Sequence, residues 1–179
     1  MKPMRNPLGK HVRDKFVTGV WLGIASILLV SSSALASDQR HHSAADEEAA
    51  VRAVIAQWVD AYQALDARRI AALETPDVQI VDRFGDLHRP SGTSENEKLW
   101  SEAFQMVRRD TTPAKVTIDR IQFLTADVAL VQATWKFGEG ILLVDGDSIP
   151  PFSQVDTYVV IKSHGVWLIA AHNMQERKP

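Results

Sequence analysis

The chain has 179 residues, no cysteine and a formal net charge of −2. The lack of cysteine excludes a fold held by disulfide bonds, and the near-neutral charge disfavours nucleic acid as a partner, because phosphate binding needs a basic face. Hydrophobic residues make up 45% of the chain, so the fold has to rely on its packed core alone.

The N-terminal region has the three parts of a secretory signal peptide. Five Lys or Arg residues precede or border an apolar segment at residues 16–30, and a polar stretch then ends in Ala34-Leu35-Ala36. Small residues at these two alanine positions suit a signal peptidase, so we predict a signal peptide over residues 1–36, cleavage after Ala36, and a secreted or periplasmic protein with no membrane association after cleavage. The apolar segment is shorter than the roughly 20 residues of a membrane span. An uncleaved N-terminal anchor is the alternative.

Cleavage would leave one domain of 143 residues. It would carry 15 basic and 21 acidic residues, because five basic residues and one Asp are removed, and its net charge would be −6. Residues 37–45 are polar and predict a disordered linker before a domain at residues 46–176. Ser43 is a plausible N-cap of the first helix, followed by acidic residues in its first turn.

Apolar spacing predicts that helices come first and strands last. The first helix has apolar residues at helical spacing, at Val51, Val54, Ile55, Trp58, Val59, Tyr62 and Leu65. Shorter elements follow: a helix at 66–73 that Pro76 ends, a strand at 78–82, a return strand at 87–89, and a third helix with a possible capping box of Ser94 and Glu97. Four long strands close the chain, at residues 114–123, 129–137, 152–161 and 166–175, with a turn-rich insert at 138–151.

This order predicts an α+β fold in which a curved antiparallel sheet wraps around the long N-terminal helix. Such a cone leaves a pocket at its open end, and concave pockets are the usual place for a small-molecule ligand. On the last predicted strand, His172 shares a face with Leu168, Ala170 and Met174.

Three segments resemble one superfamily. They are QALDA at residues 63–67, the strand and turn at 78–85, and GVWLIAAHN at 165–173. Over about residues 45–175 the chain resembles the SnoaL-like, nuclear-transport-factor-two-like proteins, which include the ketosteroid isomerases, and the last segment resembles the SgcJ/EcaC-type subfamily. The resemblance implies the cone fold, but this fold serves isomerases, dehydratases, cyclases and binding modules alike.

The resemblance to ketosteroid isomerases suggests roles for three residues. Asp82 stands where those enzymes have their catalytic base, and Asp156 matches a protonated Asp of their oxyanion hole. Trp58 stands where they have a tyrosine, and its indole N–H can donate only one hydrogen bond.

Three residues are the candidate catalytic groups. Asp82 is in phase with the apolar positions of its strand, so we expect an inward carboxylate with a raised pKa that acts as a general base; capping of the turn at Gly85 is the alternative. Asp156 shares a face with Gln154, Tyr158 and Val160, which is either pocket lining or a solvated face. His172 is either a pocket acid–base group or a hydrogen-bonded core histidine.

Six further residues are predicted to contact the ligand, although large aromatic side chains more often belong to a core. These are Trp58, Tyr62, His88, Trp100, Trp135 and Tyr158. His88 would join Asp82 and His172 if the three came together, but their spacing does not require a metal site.

The sequence therefore favours an exported domain that binds a small apolar or aromatic molecule, with cofactor-free proton transfer as its chemistry if it is an enzyme. We expect no cofactor and no metal, because no nucleotide fingerprint or redox-metal cluster is present. The alternative is a non-catalytic binding module or homodimer, in which the outer sheet face contributes apolar residues such as Leu130, Val159, Ile161 and Ile169.

Overall fold

The computed structural model describes residues 43–177. The predicted signal peptide and linker residues 37–42 lie outside the described residues. The helices are α1 (Ala44–Gln63), α2 (Ala67–Leu73) and α3 (Thr93–Gln105); the strands are β1 (Glu74–Val81), β2 (Leu87–His88), β3 (Lys115–Thr125), β4 (Val128–Phe137), β5 (Ile141–Leu142), β6 (Ser148–Ile149), β7 (Phe152–Ser163) and β8 (Val166–Glu176).

Helix α1 begins with the predicted N-cap. The Ser43 hydroxyl accepts a hydrogen bond from the Asp46 backbone N–H, and the Asp46 carboxylate accepts one from the Ser43 backbone N–H. Helix α1 therefore begins at Ala44, so the linker boundary that we placed at residue 45 is too late. The predicted apolar face is buried at five positions, which are Val51, Val54, Ile55, Trp58 and Ala61.

Two local predictions between α1 and α3 are wrong. Helix α2 ends at Leu73 and β1 begins at once, so Pro76 lies within a strand instead of stopping the helix. The capping box of Ser94 and Glu97 does not form. Helix α3 starts at Thr93 after Gly92, whose φ of 97° suits glycine, and no side chain caps it.

The main sheet has six strands in the order β2-β1-β8-β7-β4-β3. Its neighbours are antiparallel except for β1 and β8, which are parallel. The predicted alternation of β4 is confirmed: the residues that face α1 are buried, and they are Ala129, Val131, Ala133, Trp135 and Phe137. The fold is therefore the predicted α+β arrangement, with a curved sheet against the N-terminal helix.

A β-bulge in β8 changes which residues share a face. Val159 pairs with Ala171 and Val160 pairs with Ile169, so β8 contains one extra residue at this point. Ile169 before the bulge and His172 after it are both buried on the concave face. The predicted face shared by His172, Leu168 and Ala170 is therefore wrong, because regular alternation does not continue through a bulge.

The insert at residues 138–151 forms a small hairpin, β5–β6, that packs on the end of α3. The Arg108 backbone N–H donates to the Leu142 carbonyl over 2.9 Å, and the Val144 N–H donates to the Met106 carbonyl over 3.1 Å. This contact places the hairpin beside the end of the cone where α1 ends and β3 begins. Among residues 43–177, no helix combines the length and the apolar character needed to cross a bilayer.

Candidate functional site

A buried polar cluster lies on the concave face of β7 and β8. Asp156 is 1% exposed, and its Oδ1 accepts a hydrogen bond from Gln154 Nε2 over 2.8 Å. Its Oδ2 accepts one from the Tyr158 hydroxyl over 3.1 Å and lies 2.9 Å from His172 Nε2. Residues two apart on a strand share a face, and Tyr158 is the cross-strand partner of His172. The predicted shared face of Asp156, Gln154 and Tyr158 is therefore confirmed, and it is not solvated.

His172 is held on one ring nitrogen only. Its Nδ1 is buried and has no hydrogen-bond partner among residues 43–177. The imidazole stacks on the Tyr158 ring at a centroid distance of 4.3 Å and meets the Trp58 indole edge-on at 4.8 Å. An ionised Asp156 can only accept, so in that state Nε2 carries a proton, and in a neutral imidazole Nδ1 then presents a lone pair. Such a nitrogen is a potential acceptor for a ligand or a transferred proton.

A second buried carboxylate, Glu74, lies behind the first cluster. It is 3% exposed and accepts three hydrogen bonds, from Trp58 Nε1 over 2.9 Å, Asn96 Nδ2 over 2.7 Å and Trp100 Nε1 over 3.0 Å. Burial raises the pKa of Glu74, and the three donors and the nearby His172 oppose that rise. The Trp58 N–H is thereby occupied, so the predicted use of Trp58 as an oxyanion donor is wrong.

Asp82 is a turn cap. Its Oδ1 accepts from the backbone N–H groups of Phe84 over 2.8 Å and Asp86 over 3.0 Å, and its Oδ2 lies 3.0 Å from His88 Nε2. Partial burial acts to raise the pKa of Asp82, but the hydrogen bonds from His88 and the two backbone groups together lower it. The prediction of an inward base with a raised pKa is therefore wrong, because β1 ends at Val81 and the next side chain turns back onto the loop.

His88 and His172 belong to different pairs. His88 contacts Asp82 at the end of the β1–β2 hairpin, whereas His172 contacts Asp156 inside the cone. The predicted meeting of Asp82, His88 and His172 does not occur. Within residues 43–177, no group of three or more His, Cys, Asp or Glu side chains could hold a metal ion.

The predicted aromatic ligand wall is mostly a packed core. Trp58, Trp135 and Tyr158 are at most 1% exposed, and Trp100 is 5% exposed. Trp58 meets Trp100 at 5.5 Å and Trp135 at 6.1 Å, in both cases edge to face. These rings fill the concave side where we predicted a pocket, so their role in this structure is packing.

Tyr62 differs, because it joins this core to a cavity. Its ring stacks on Trp58 at 5.5 Å and meets Trp135 edge-on at 5.2 Å. Burial raises the pKa of Tyr62 to about 12, with a further rise from the charge of Asp156 and an opposing effect of Arg83. Tyr62 also lines a cavity of about 50 Å³, with Phe104, Phe137 and Ile141. The predicted pocket is thus reduced to a small space at the open end of the cone.

An open groove adjoins this cavity. It has a volume of about 540 Å³ and shares Leu65, Phe104, Val107 and Arg108 with the cavity lining. The groove therefore borders the cavity that Tyr62 lines, and the Tyr62 ring stacks on Trp58, which contacts His172 of the Asp156 cluster.

Sequence reasoning missed Glu74, Asn96 and Gln154. Gln154 shares the phase of Asp156 and was available from the strand pattern. Glu74 stands next to a predicted helix end, where an acidic side chain is ordinarily solvated, and Asn96 lies in the first turn of α3. Their burial depends on contacts between elements that the sequence does not reveal.

The comparisons with known proteins support the fold. No family model and no curated protein matches this sequence. A ketosteroid isomerase-like protein from Erwinia carotovora atroseptica superposes with a TM-score of 0.65, at 18% identity over 75% of this chain and 98% of that one. An uncharacterised protein with a cystatin-like fold from Caulobacter vibrioides gives 0.61, at 19% identity over 74% and 90%. An NTF-2 like protein of unknown function from Shewanella oneidensis gives 0.55, at 15% identity over 72% and 98%.

The structural neighbours are thus ketosteroid isomerase-like and nuclear-transport-factor-two-like proteins. At these identities the likeness concerns the fold alone, and the SgcJ/EcaC-type subfamily stays a prediction.

Proposed function

We propose that this domain binds a small apolar or aromatic molecule at the open end of the cone and transfers a proton through Asp156 without a cofactor. The observation that carries the proposal is the buried Asp156–His172 pair, because the His172 ring contacts Trp58 and Trp58 stacks on Tyr62 of the cavity wall. Asp156 and His172 are each 1% exposed and lie 2.9 Å apart. Buried acid–base pairs next to a cavity are common at functional sites.

The ligand would displace the Tyr62 ring and the Trp58 ring on which it stacks to reach the pair. The Tyr62 ring contacts Trp58, Phe104 and Trp135. A ketone could then place its α-carbon next to Asp156 Oδ2. The α C–H bond breaks, the proton moves to Asp156, and the electron pair forms an enolate. Its oxygen accepts a hydrogen bond from the Tyr158 hydroxyl, which is released from Asp156 when that carboxylate takes the proton. With a β,γ-unsaturated ketone the electron pair extends over the C=C bond, and return of the proton from Asp156 to the γ-carbon moves the double bond into conjugation and completes an isomerisation.

The structural likeness to a ketosteroid isomerase-like protein supports this class of chemistry. Asp156 takes the role of base in the proposal, since it is buried on the concave face, whereas Asp82 caps a turn and the hydrogen bonds that it accepts lower its pKa. This assignment keeps the proton-transfer hypothesis and moves it from the β1 turn to the centre of the sheet.

Proton exchange tests the proposal directly. The protein is incubated with cyclohexanone in D₂O, and deuterium at the α-carbon is followed by NMR. We expect exchange above the buffer rate, and we expect Asp156→Asn to reduce it about 100-fold, the lower end of general-base effects. Asp77→Asn, at an exposed position of β1, is the matched control.

Asp82→Asn gives a second comparison and should retain exchange. Loss of exchange in Asp82→Asn with full activity in Asp156→Asn would reverse the assignment. Circular dichroism of each variant separates loss of the fold from loss of the base.

The second candidate is a homodimer through the outer sheet face. Leu130 and Val159 are cross-strand partners on that face and are half-buried, as is Ile161. Ile169 is fully buried against α1 and does not belong to this face, because of the β8 bulge. Apolar residues on an uncovered sheet face favour burial against a second copy of the same chain.

Export is also part of the proposal. The basic, apolar and small-residue pattern of residues 1–36 supports it. The intact mass of the exported protein tests the cleavage site, since the expected N-terminus is Ser37.

A further inference from the structure

Arg83 is the residue whose surroundings are least explained by the proposed reaction. It lies two residues after the end of β1, and its Nε and Nη1 atoms are buried without a hydrogen-bond partner among residues 43–177. Only Nη2 is paired, at 3.3 Å from an Oε of Glu176, whose side chain is 43% exposed. Two of the three guanidinium nitrogens are therefore out of water and unsatisfied.

Aromatic rings hold the guanidinium in place. Its central carbon lies 4.4 Å from the centroid of the Phe152 ring and 5.0 Å from that of Phe84. Phe152 in turn stacks on Phe137 at 4.4 Å, and Phe137 lines the cavity beside Tyr62. Stacking of this kind orients a guanidinium and leaves its edges free to donate hydrogen bonds.

The arrangement is costly without a further partner. A buried donor that lacks an acceptor costs free energy, and the cost is greater when the donor carries charge. The charge of Arg83 is paired with the half-exposed Glu176, and it also opposes the rise in the pKa of Tyr62, which lies on the cavity wall. An anion that reaches the guanidinium would satisfy the free N–H groups.

We infer that Arg83 is an anion subsite beyond the end of β1, and that it holds the carboxylate of a ligand whose apolar or aromatic body packs against the Phe84 and Phe152 rings. The inference rests on the proposed function and adds a substrate class to it: small aromatic or alicyclic carboxylates. A carboxylate fits because it is planar, as guanidinium is, and offers two oxygens to its N–H groups. The flanking rings of Phe84 and Phe152 favour an aromatic body next to the charged group.

A pair of probes that differ only in charge tests the inference. Phenylacetate and phenylacetamide are titrated into the protein comprising residues 37–179, and tryptophan fluorescence reports binding. We expect phenylacetate to bind at least about tenfold more tightly than phenylacetamide, as a charge-assisted hydrogen bond predicts. Arg83→Gln should remove the difference, and Arg83→Lys should recover only part of it. Arg68→Gln, at an exposed position of α2, is the matched control and should retain the difference.

A second measurement reports on Arg83 itself. The ¹⁵N-¹H signal of its Nε group, identified by its loss in Arg83→Lys, should shift on addition of phenylacetate and stay in place with phenylacetamide. This signal is measured in the wild-type protein, so it tests the subsite even if Arg83→Gln fails to fold.

The outcomes separate the two proposals. Equal binding of both probes, or an unmoved Nε signal with phenylacetate bound, overturns the anion subsite and leaves the proposed function standing. Binding of neither probe also overturns the subsite, and the deuterium exchange of cyclohexanone, which carries no charge, then decides the proposed function independently.

Discussion

Asp82 and Asp156 show how the surroundings of a carboxylate decide what it can do. Asp82 accepts two backbone N–H groups at a turn and contacts His88, so its carboxylate is committed to holding the hairpin. Asp156 is surrounded by Gln154, Tyr158 and His172 inside the cone. Both residues are aspartates on a strand or at its end. Only Asp156 lies where water is excluded, and in such a place its charge acts strongly on a reacting group.

Glu74 makes a prediction for stability against pH. Burial raises its folded pKa above the ordinary 4.5, so the folded state holds the proton more tightly than the unfolded state. Its contribution to the free energy of unfolding is complete below pH 4.5 and is lost as pH rises through the raised value. Urea unfolding at a series of pH values should show this decline.

The variant Glu74→Gln should remove that decline in stability with pH. It should also lower stability by about 1–3 kcal/mol, because the amide cannot accept all three N–H donors. Glu102→Gln, at an exposed position of α3, should leave the pH dependence of the wild type unchanged. A pH dependence that survives in Glu74→Gln would mean that another group causes it.

At the scale of elements, the β8 bulge and the β5–β6 hairpin shape the site. The bulge brings Ile169 and His172 to one face, which lets His172 reach Asp156. The hairpin packs on the end of α3 and contributes Ile141 to the cavity wall. The extra residue in one strand and the insert between two strands thus decide where the polar cluster lies and how far the cone is closed.

Gly140 tests the role of the hairpin. A Cβ at this position would lie 2.0 Å from the Ile149 carbonyl oxygen, and its φ is 76°. Gly140→Ala should therefore displace β6 and increase amide hydrogen exchange at Leu143, whose N–H donates to the Asp147 carbonyl. Gly146→Ala is the matched control, because Gly146 also has a positive φ but nothing lies within 4 Å of the added carbon. Equal exchange in the two variants would show that backbone conformation, and not the contact with β6, governs the hairpin.

At the scale of the whole molecule, the concave and outer faces of the sheet differ in how their side chains are covered. The concave face is filled by aromatic rings and two polar clusters, so ligand access depends on Tyr62 and the open end. The outer face has half-buried apolar residues and no layer over it among residues 43–177. Coverage of that face by a second copy is the physical alternative to its exposure to water.

Sedimentation of the protein tests the dimer. We expect the wild type to sediment as a dimer and Val159→Glu to sediment as a monomer, because a charge at the centre of an apolar interface lacks a partner. Gln79→Glu, at an exposed position of β1, should remain dimeric. A monomeric wild type at every concentration would exclude this interface.

The sequence by itself determined the architecture. Helical spacing in α1, strict alternation in β4 and turn residues between the strands are local signals, and each predicted an element that the structure contains. These predictions succeeded because apolar periodicity directly reflects which face is buried. The sequence also named Asp156 and His172 as candidate catalytic residues, and their catalytic roles stay predictions.

The tertiary structure alone decided the site. The local sequence does not distinguish Asp82, which caps a turn, from an inward base. The residues next to Glu74 in the sequence also do not predict that α1 and α3 supply three N–H donors to it. The bulge in β8 shifts the phase of His172 through pairing with β7, and the partly buried guanidinium of Arg83 lies over the ring of Phe152, which is far along the chain. Hydrogen-bond partners and burial arise from contacts between distant segments, so the chemistry of each side chain depends on packing that periodicity does not encode.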